Sequence, residues 1–431
     1  MAKAIIKDIF DGKHTNKQVE ISGWIHNKRS SGGILFLFIR DGTGIIQTTL
    51  QRSTFPNLKE YDRLPEESTV QIKGMVKEDK RAEGGYEIKA EECKVLYKAE
   101  EGFPIAKKQH GPSFLLDNRH FWIRSKKMQA IARVKADLIK AGRKWFDDNG
   151  FTEVHVPILV GAACEGGSTL FEVNYFGKKA YLTQSWQLYG EATIAALGKT
   201  YTFAPSFRAE KSKTRRHLTE YWHLEAEIPF GGLKEIMEIE ENLLTEMLHF
   251  VAKSREKELI MLGRDPKYLL SIEPPFKKIT YDEAIEILQK DGIRLKWGDD
   301  IDWRHEKVLT SHFDKPFFLS HFPKHIKAFY HKPDPARPEV TLSADLLAPE
   351  GYGEITGGGE RIESYDELMK RIKEEKLNVS EYQWYLDLRK YGACQHAGFG
   401  LGLERVVAWV CKLKHIRDAI LFPRLINRIY P

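Results

Sequence analysis

A run of basic side chains between two predicted strands has the composition of a polyphosphate site. The segment 205–227 reads PSFRAEKSKTRRHLTEYWHLEAE, and its alternating ends predict a β-hairpin around Arg208, Arg216 and His217. Because one guanidinium can bind two phosphate oxygens at once, such a hairpin could grip a polyphosphate. A solvent-exposed charged hairpin has the same composition, so the segment alone leaves both interpretations open.

A second candidate phosphate site lies where a glycine-rich strand meets an apolar helix. The segment 398–410 reads GFGLGLERVVAWV and places Arg405 at the start of the predicted helix. Glycines in a strand allow a ligand to approach the backbone closely, and Arg405 could then reach a phosphate. The pattern is neither a Rossmann nor a Walker loop, because no βαβ unit follows it and the chain contains no GxxxxGK[ST].

Two carboxylates, Asp345 and Glu354, flank a glycine-rich turn in the third segment, 343–368. Mg²⁺ prefers oxygen ligands and keeps substrate phosphates in its coordination shell. Beside two candidate phosphate sites, this pair predicts a Mg²⁺ site.

Short β-rich runs between turn signals fill the chain from Gln18 to Tyr97, at intervals of about ten residues. Such spacing predicts a small closed or nearly closed barrel. Within the run ILFLFIR, Phe36 and Phe38 share one face of a strand. One face must be core, and the other is either a platform on which an unpaired base stacks, worth about 1–3 kcal/mol, or a second buried face.

The remaining elements predict a larger second domain. Helical periodicity begins at Lys126 and ends at Asn149-Gly150, a second long helix covers about 233–259, and a smaller α/β insertion follows near 278–325. The expected organisation is a barrel domain over 1–101, a basic hinge over 102–135 and the larger second domain over 136–431.

The net charge of the 431-residue chain, +6, is too small by itself to indicate a nucleic-acid partner. Its location says more, because residues 101–135 contain 8 Lys and Arg against 2 Asp and Glu, interleaved with aromatic residues. The segment is therefore either a solvated basic linker or a contact for nucleic-acid phosphates.

The four cysteines are scattered without a CxxC, which suggests neither a disulfide framework nor a zinc site. The N-terminal residues show neither signal-peptide nor transit-peptide composition, and no apolar run is long enough for a membrane span. We therefore expect a cytoplasmic protein without membrane association.

Three stretches of the chain resemble the three motifs of class II aminoacyl-tRNA synthetases: a helix and strand ending at Pro157, then Phe207-Arg208-Ala209-Glu210, then Gly400 to Arg405. With the N-terminal barrel, the resemblance is to the aspartyl, asparaginyl and lysyl subgroup, and the wording GYGEITGG and HIRDAILFPR is closest to asparaginyl-tRNA synthetases. The resemblance implies an α+β fold, with a five-stranded OB-fold barrel that binds the anticodon and a catalytic domain built on an antiparallel sheet flanked by helices. It implies ATP-dependent ligation of asparagine to tRNA(Asn) through an asparaginyl-adenylate, in a homodimer whose interface includes Pro157.

Residue roles follow from the resemblance position by position. Arg208 is expected to hold the α-phosphate of ATP, Arg405 and His217 the γ-phosphate, and Tyr221 the adenine. The other expected ATP-binding residues are Glu210, Leu218, Glu354 and Gly402. Mg²⁺ is assigned to Asp345 and Glu354. The amino-acid pocket is assigned to Glu165, Gln184, Gln187, Glu225 and Arg361. The anticodon contacts are assigned to Arg29, Phe36 and Gln47.

The choice of amino acid depends on a few positions. Aspartyl enzymes have a lysine where this chain has Gly190, and Glu225 resembles the asparaginyl-type acid that accepts from the substrate amide. Trp186 and Gly190 depart from the usual small and larger aliphatic residues, either as a compensating repacking of one helix face or as a reshaped pocket. The alternatives are an aspartyl-tRNA synthetase, either strict or non-discriminating, a paralogue that makes free asparagine, and a catalytically idle tRNA-binding module.

Overall fold

The protein is described here by a computed structural model. It divides into two units, Met1–His110 and Gly111–Pro431. The described residues are 2–105, 108–164, 170–211 and 214–431. The division differs from the hinge expected over 102–135, because residues from Gly111 onward belong to the second unit. Arg119, in this basic stretch, is 1% exposed and donates hydrogen bonds to backbone carbonyls of residues 417, 420 and 421.

In its described residues, the first unit contains six strands and two short α-helices. In chain order they are β1 (Ala2–Lys3), α1 (Ile6–Phe10), β2 (Gln18–Ser31), β3 (Ile34–Arg40), β4 (Ile45–Gln51), α2 (Leu58–Asp62), β5 (Thr69–Glu78) and β6 (Tyr86–Tyr97).

Strands β2 to β6 form a closed ring, because β2 pairs with both β3 and β5 while β4 and β5 both pair with β6. This confirms the five-stranded barrel. In β3 the alternation predicted from sequence is observed: Leu35, Leu37 and Ile39 are buried, whereas Phe36 and Phe38 are only half-buried. One face of β3 is therefore core and the other is accessible.

The second unit carries the remaining elements. They are α3 (Pro112–Asp117), α4 (Arg119–Trp122), α5 (Lys126–Asp148), β7 (Thr152–Glu153), β8 (Leu159–Val160), β9 (Glu172–Tyr175), β10 (Lys178–Leu182), α6 (Gln187–Leu197), β11 (Thr200–Phe207), β12 (Glu220–Pro229), α7 (Leu233–Ser254), α8 (Glu256–Met261), α9 (Pro266–Leu270), β13 (Lys277–Thr280), α10 (Tyr281–Lys290), α11 (Trp303–Leu309), β14 (Phe317–Ser320), β15 (Pro333–Asp334), β16 (Arg337–Thr341), β17 (Ser343–Ala348), β18 (Gly353–Glu360), α12 (Tyr365–Glu374), α13 (Gln383–Lys390), β19 (His396–Gly402) and α14 (Leu403–Val410).

An eight-stranded sheet organises this unit, in the order β13-β14-β17-β18-β19-β12-β11-β7. The six central strands are antiparallel and the two edge pairs are parallel. Helices α5, α7 and α14 bury their apolar faces on the sheet in one core. The α+β class with a sheet flanked by helices is therefore confirmed.

The insertion has a small core of its own around α10 and α11, including Tyr281, Leu288 and Leu309. Its strands β13 and β14 extend the edge of the central sheet. Within the described ranges, no helix combines the length and apolar composition needed to cross a membrane.

Candidate functional site

A cleft of about 690 Å³ lies over the central strands of the sheet. Nine of the residues assigned from sequence line it: Gln187, Arg208, Glu210, His217, Glu225, Asp345, Glu354, Arg361 and Arg405. A smaller adjoining cavity shares Arg208 and Arg405 and brings in Leu218, Tyr221 and Gly402. Gln184 is buried, and Glu165 lies outside the described residues.

Strand register explains why these residues meet. Asp345, Gly357, Gly400 and Glu225 are successive cross-strand partners on β17, β18, β19 and β12. With strands about 4.8 Å apart, this row places the Asp345 and Glu225 backbones about 14 Å apart, with only glycines between them. The glycines thus form an open floor between a candidate metal carboxylate and a candidate substrate-binding acid.

The glycines of β19 also make room for acidic side chains. A Cβ on Gly398 would overlap the Glu227 carboxylate, and one on Gly400 would lie 3.5 Å from Glu225 Oε1. Glu227 therefore requires glycine at position 398, whereas a Cβ at position 400 would make only an ordinary van der Waals contact with Glu225.

At one end of the cleft, Arg405 in the first turn of α14 contacts Glu354. Its Nη1 lies 2.9 Å from Glu354 Oε2 and 3.2 Å from the Glu354 carbonyl oxygen. Burial by itself raises the pKa of Glu354, but Arg405, Lys327 and Arg216 outweigh it and lower that pKa to about 2. Glu354 is consequently ionised at neutral pH.

His217 lies in the same region. Its Nδ1 is 2.5 Å from Thr214 Oγ1, and its Nε2 is 3.5 Å from Glu210 Oε2. Burial, together with the nearby positive charge of Arg405, lowers the pKa of His217 below its ordinary value. The imidazole is therefore neutral at physiological pH and adds no charge repulsion beside Arg405.

Arg208 and Tyr221 face one another across the hairpin. The Arg208 guanidinium carbon is 6.0 Å from the centre of the Tyr221 ring. The backbone of Arg208 donates to the Thr219 carbonyl at 3.0 Å, which holds the two strands of the hairpin together at this point. An arginine over a half-buried aromatic ring suits a phosphate next to a stacked base.

The two candidate metal carboxylates share one small space. A Cβ built on Gly357 would lie 3.2 Å from Asp345 Oδ1 and 3.5 Å from Glu354 Oε1, so the missing side chain leaves a cradle between the two oxygens. Lys327 donates to both oxygens of Asp345 at 2.7 Å. Burial raises the pKa of Asp345 to about 7, although Lys327 opposes the shift.

This cradle fits Mg²⁺. Among the described residues, no three His, Cys, Asp or Glu side chains cluster as a metal site. Two carboxylates nonetheless suffice for Mg²⁺ when substrate phosphates complete the coordination. The ammonium group of Lys327, bonded to Asp345, further indicates that the cradle attracts cations.

At the other end, Glu225 is buried and bonded to the loop before α6. It accepts hydrogen bonds from Ser185 Oγ and, at 3.2 Å, from the backbone N–H of Trp186. Arg361 is also buried and forms an ion pair with Glu227 at 2.7 Å. Burial alone would lower the pKa of Arg361, but the Glu227 carboxylate raises it above its ordinary value, so the guanidinium stays charged.

Sequence analysis missed Glu227 and Lys327. Glu225 and Glu227 are two residues apart on one strand and therefore point to the same face. This period of two could have identified Glu227 as a cleft residue. Lys327 lies outside any regular element next to the short helical turn of residues 324–326, and no local pattern marks it.

Trp186 fills the space in front of Gly190. A Cβ on Gly190 would lie 2.8–3.0 Å from three atoms of the Trp186 ring. The ring is 2% exposed and lines the cleft. Trp186 and Gly190 thus complement each other in size across one helix turn. Because the ring also lines the cleft, a compensating repacking and a reshaped pocket both remain predictions.

In the first unit, the residues assigned to the anticodon share one face of the barrel. Arg29 and Phe36 are cross-strand partners, with the guanidinium carbon 4.8 Å from the ring centre. Gln47 is the partner of Phe38 and donates to Glu87 at 3.0 Å. Arg29 is exposed and Phe36 half-buried, so a cation and part of an aromatic ring are accessible side by side.

Each of the two units matches a known protein family. A family model described as tRNA synthetases class II (D, K and N) matches residues 111–426, and one described as OB-fold nucleic acid binding domain matches 19–96. The asparagine–tRNA ligase of Pyrococcus abyssi is 52% identical over 99% of this chain and 98% of its own.

Two solved structures are similar over nearly their whole length. Asparaginyl-tRNA synthetase from Pyrococcus horikoshii complexed with asparaginyl-adenylate has a TM-score of 0.97 and 48% identity, covering 100% of both chains. The Entamoeba histolytica asparaginyl-tRNA synthetase, also in complex with asparaginyl-adenylate, has a TM-score of 0.89 and 35% identity, covering 96% of this chain and 97% of its own. This chain therefore belongs to the class II tRNA synthetases of the aspartate, lysine and asparagine group, as a member of the asparagine–tRNA ligase family.

Proposed function

We propose that this chain activates asparagine with ATP and transfers it from the asparaginyl-adenylate to tRNA(Asn). The observation that carries the proposal is the row from Asp345 to Glu225 across a glycine floor. It joins a cationic, carboxylate-bearing end suited to ATP and Mg²⁺ to a buried acidic end suited to a neutral amide. The solved relatives with asparaginyl-adenylate in their names support the same assignment.

Adenylate formation needs positioning and charge neutralisation more than proton transfer. Arg208 would neutralise the α-phosphate as the asparagine carboxylate attacks it in line, and Arg405 would hold the far end of the triphosphate. Asp345 and Glu354 would hold Mg²⁺, which neutralises charge on the phosphates. Pyrophosphate then leaves. The 3′-terminal ribose hydroxyl of the tRNA next attacks the carbonyl of the adenylate and loses its proton, and the bond between that carbonyl and the phosphate breaks to release AMP.

The acidic end of the cleft favours asparagine over aspartate. Glu225 would accept from the substrate amide, and Arg361 would donate to its oxygen. An aspartate carboxylate would instead face the buried Glu225 and Glu227, with no cation at position 190 to offset them. The cost of burying like charges together should exceed any gain from Arg361, which Glu227 already neutralises.

The direct test is amino-acid-dependent ATP/pyrophosphate exchange, with asparagine and aspartate compared at equal concentrations. We expect exchange with asparagine and little with aspartate. Faster exchange with aspartate would replace the proposal by an aspartyl or non-discriminating enzyme. Release of free asparagine from aspartate, ATP and ammonia would favour the paralogue that makes free asparagine. Exchange with neither amino acid would favour the catalytically idle tRNA-binding module.

Gly190→Leu should disrupt the packing against Trp186. Overpacking of this kind costs about 1–3 kcal/mol of the free energy of unfolding, and it should also lower asparagine-dependent exchange because Trp186 lines the cleft. The matched double variant Trp186→Ala with Gly190→Leu restores the large–small complement in reverse, and we expect it to recover most of both losses. Denaturant unfolding and exchange rates check this; wild-type stability of the single variant would show that the ring does not limit position 190.

We also propose that the Phe36 face of the barrel binds the anticodon loop, with Phe36 as the stacking side chain and Arg29 and Gln47 as polar contacts. Phe36→Ala should raise the KM for tRNA(Asn) by about tenfold, since stacking on an aromatic ring is worth about 1–3 kcal/mol per base. Exchange without tRNA should not change. Tyr97→Ala, an exposed aromatic on another strand, is the control, and an equal rise in both variants would contradict the assignment.

We propose a homodimer whose interface includes the segment after Pro157. In support, Ile158 and Leu159 are 42% and 41% exposed although both are large and apolar. Sedimentation should give a dimer, and Leu159→Lys should shift it toward monomer.

We place the enzyme in the cytoplasm, since all four cysteines are free thiols, as suits a reducing compartment.

A further inference from the structure

A fully buried carboxylate, Glu191, lies behind the amino-acid end of the cleft. It sits on α6 one turn after Gln187 and is bonded to side chains from three elements. These are Gln187 Nε2 at 3.1 Å, Tyr385 Oη at 2.8 Å, Arg389 at 2.5 Å and His396 Nε2 at 2.9 Å. Burial alone would raise the pKa of Glu191, but Arg389 and His396 lower it below its ordinary value, so the group is an anion.

This anion determines which way the Gln187 amide faces. A carboxylate only accepts hydrogen bonds, so the Gln187 amide must turn its nitrogen toward Glu191 and keep its oxygen as an acceptor on the opposite side. Gln187 lines the cleft. An acceptor oxygen there suits an α-ammonium group, whereas an amide nitrogen in the same place would repel one.

Two partners of Glu191 also bond the backbone around Arg361, another residue of the pocket. His396, bonded to Glu191, accepts the backbone N–H of Arg361 at 2.9 Å through its own carbonyl. Arg389, paired with Glu191, donates through Nε to the carbonyl of Ile362 at 2.9 Å. His396 and Arg389 therefore hold the backbone before and after the Arg361 carbonyl.

We infer that Glu191 is a positioning residue for amino-acid recognition: it turns the Gln187 oxygen toward the substrate α-ammonium and fixes the backbone from which Arg361 reaches the side-chain amide. The inference rests on the proposed function, because it assigns a task to residues around the asparagine pocket. Glu191 is at the opposite end of the cleft from Arg405 and Glu354, so its effect should be confined to the amino acid.

The test is Glu191→Gln in tRNA-independent ATP/pyrophosphate exchange. The new amide can donate to the Gln187 oxygen and so permit the opposite amide orientation, which presents N–H groups to the ammonium. We expect the KM for asparagine to rise about tenfold or more, with the KM for ATP within about twofold of wild type, because only ground-state contacts to the amino acid are lost. An unchanged KM for asparagine would overturn the inference.

Two further variants separate positioning from general destabilisation. Glu67→Gln removes the charge from another buried pair, with Arg40 in the first unit, and should leave the KM for asparagine unchanged at comparable loss of stability. Tyr385→Phe removes one donor to Glu191 while keeping the ring. It should raise the KM for asparagine by a smaller factor, and it tests the inference if Glu191→Gln does not fold. In the Gln187→Ala background, Glu191→Gln should add less than it does in wild type, whereas fully independent effects on the KM would overturn the route through Gln187.

Failure of the inference is distinguishable from failure of the proposed function. Wild-type protein without asparagine-dependent exchange would defeat the function itself. Wild-type exchange with asparagine, together with equal KM rises for asparagine and ATP in Glu191→Gln, would defeat only the positioning role.

Discussion

Replacement of Arg208 by glutamine is expected to lower the kcat of asparagine-dependent exchange by about 10²–10³-fold, the effect of removing one electrostatic donor from a transition state. Arg208 directly follows β11, where the backbone of Phe207 donates to the Thr183 carbonyl at 2.9 Å. The guanidinium therefore extends from a fixed hairpin rather than a free loop. Glutamine keeps hydrogen-bonding capacity but loses the charge that offsets the attacking carboxylate and the phosphate.

The matched control for this charge removal is Arg304→Gln. Arg304 is the second residue of α11, next to Asp302 and Trp303, which line the cleft. Its guanidinium pairs with the N-cap residue Asp302 at 2.6 Å. Its side chain is largely exposed, so we expect exchange within about twofold of wild type. If both variants lost activity equally, Arg208 would have no specific role at the phosphate, and the general positive charge of the region would be responsible.

The local parts of the fold could be predicted from the sequence. In β3 the buried residues Leu35, Leu37 and Ile39 alternate with half-buried phenylalanines, and a period of two identifies a strand without any knowledge of its partners. The order of the eight-stranded sheet could not be predicted from local pattern, because it pairs β12 with β19, about 170 residues further along the chain. Only the family resemblance implied an antiparallel sheet here.

The same distinction holds for the candidate site. Arg208, Arg405 and the two acids of the Mg²⁺ cradle could be identified as candidates because each lies in a segment whose local composition suits phosphate or metal binding, and the family resemblance then assigned their roles. Trp186 and Gly190 could be related because four residues form one turn of a helix. The Arg361–Glu227 pair and the Glu191 network were missed because their members are brought together by tertiary structure, between residues 134 to 205 positions apart.

The missed residues are mainly buried acids, and this has a physical reason. A carboxylate that is removed from water must be paired or protonated, and its partner can come from any element that packs nearby. Local sequence shows that Glu191 lies on a helix but not that Tyr385, Arg389 and His396 surround it. Such residues become candidates only when the packing is known.

Replacement of Glu354 by glutamine is expected to lower exchange by about 10³-fold and to raise the Mg²⁺ concentration needed for half-maximal exchange more than tenfold. The pKa of about 2 keeps the wild-type group ionised, and the Gly357 cradle places one of its oxygens beside Asp345. Glutamine has the same shape without the charge, so it removes one of two anionic ligands. It also takes away the carboxylate that contacts Arg405 at 2.9 Å, which leaves that guanidinium less well oriented for phosphate.

A magnesium titration of exchange separates these effects, with Glu350→Gln as the matched control. Glu350 carries the same carboxylate and pairs with Arg264 at 2.7 Å, but it does not line the cleft. Its replacement should leave the magnesium dependence unaltered. If Glu354→Gln lowered the rate at every Mg²⁺ concentration by one constant factor, with no shift of the midpoint, Glu354 would act through Arg405 alone and the two-carboxylate cradle would not be the magnesium site. A shifted midpoint together with isothermal calorimetry showing weaker Mg²⁺–ATP binding is the result that the geometry predicts.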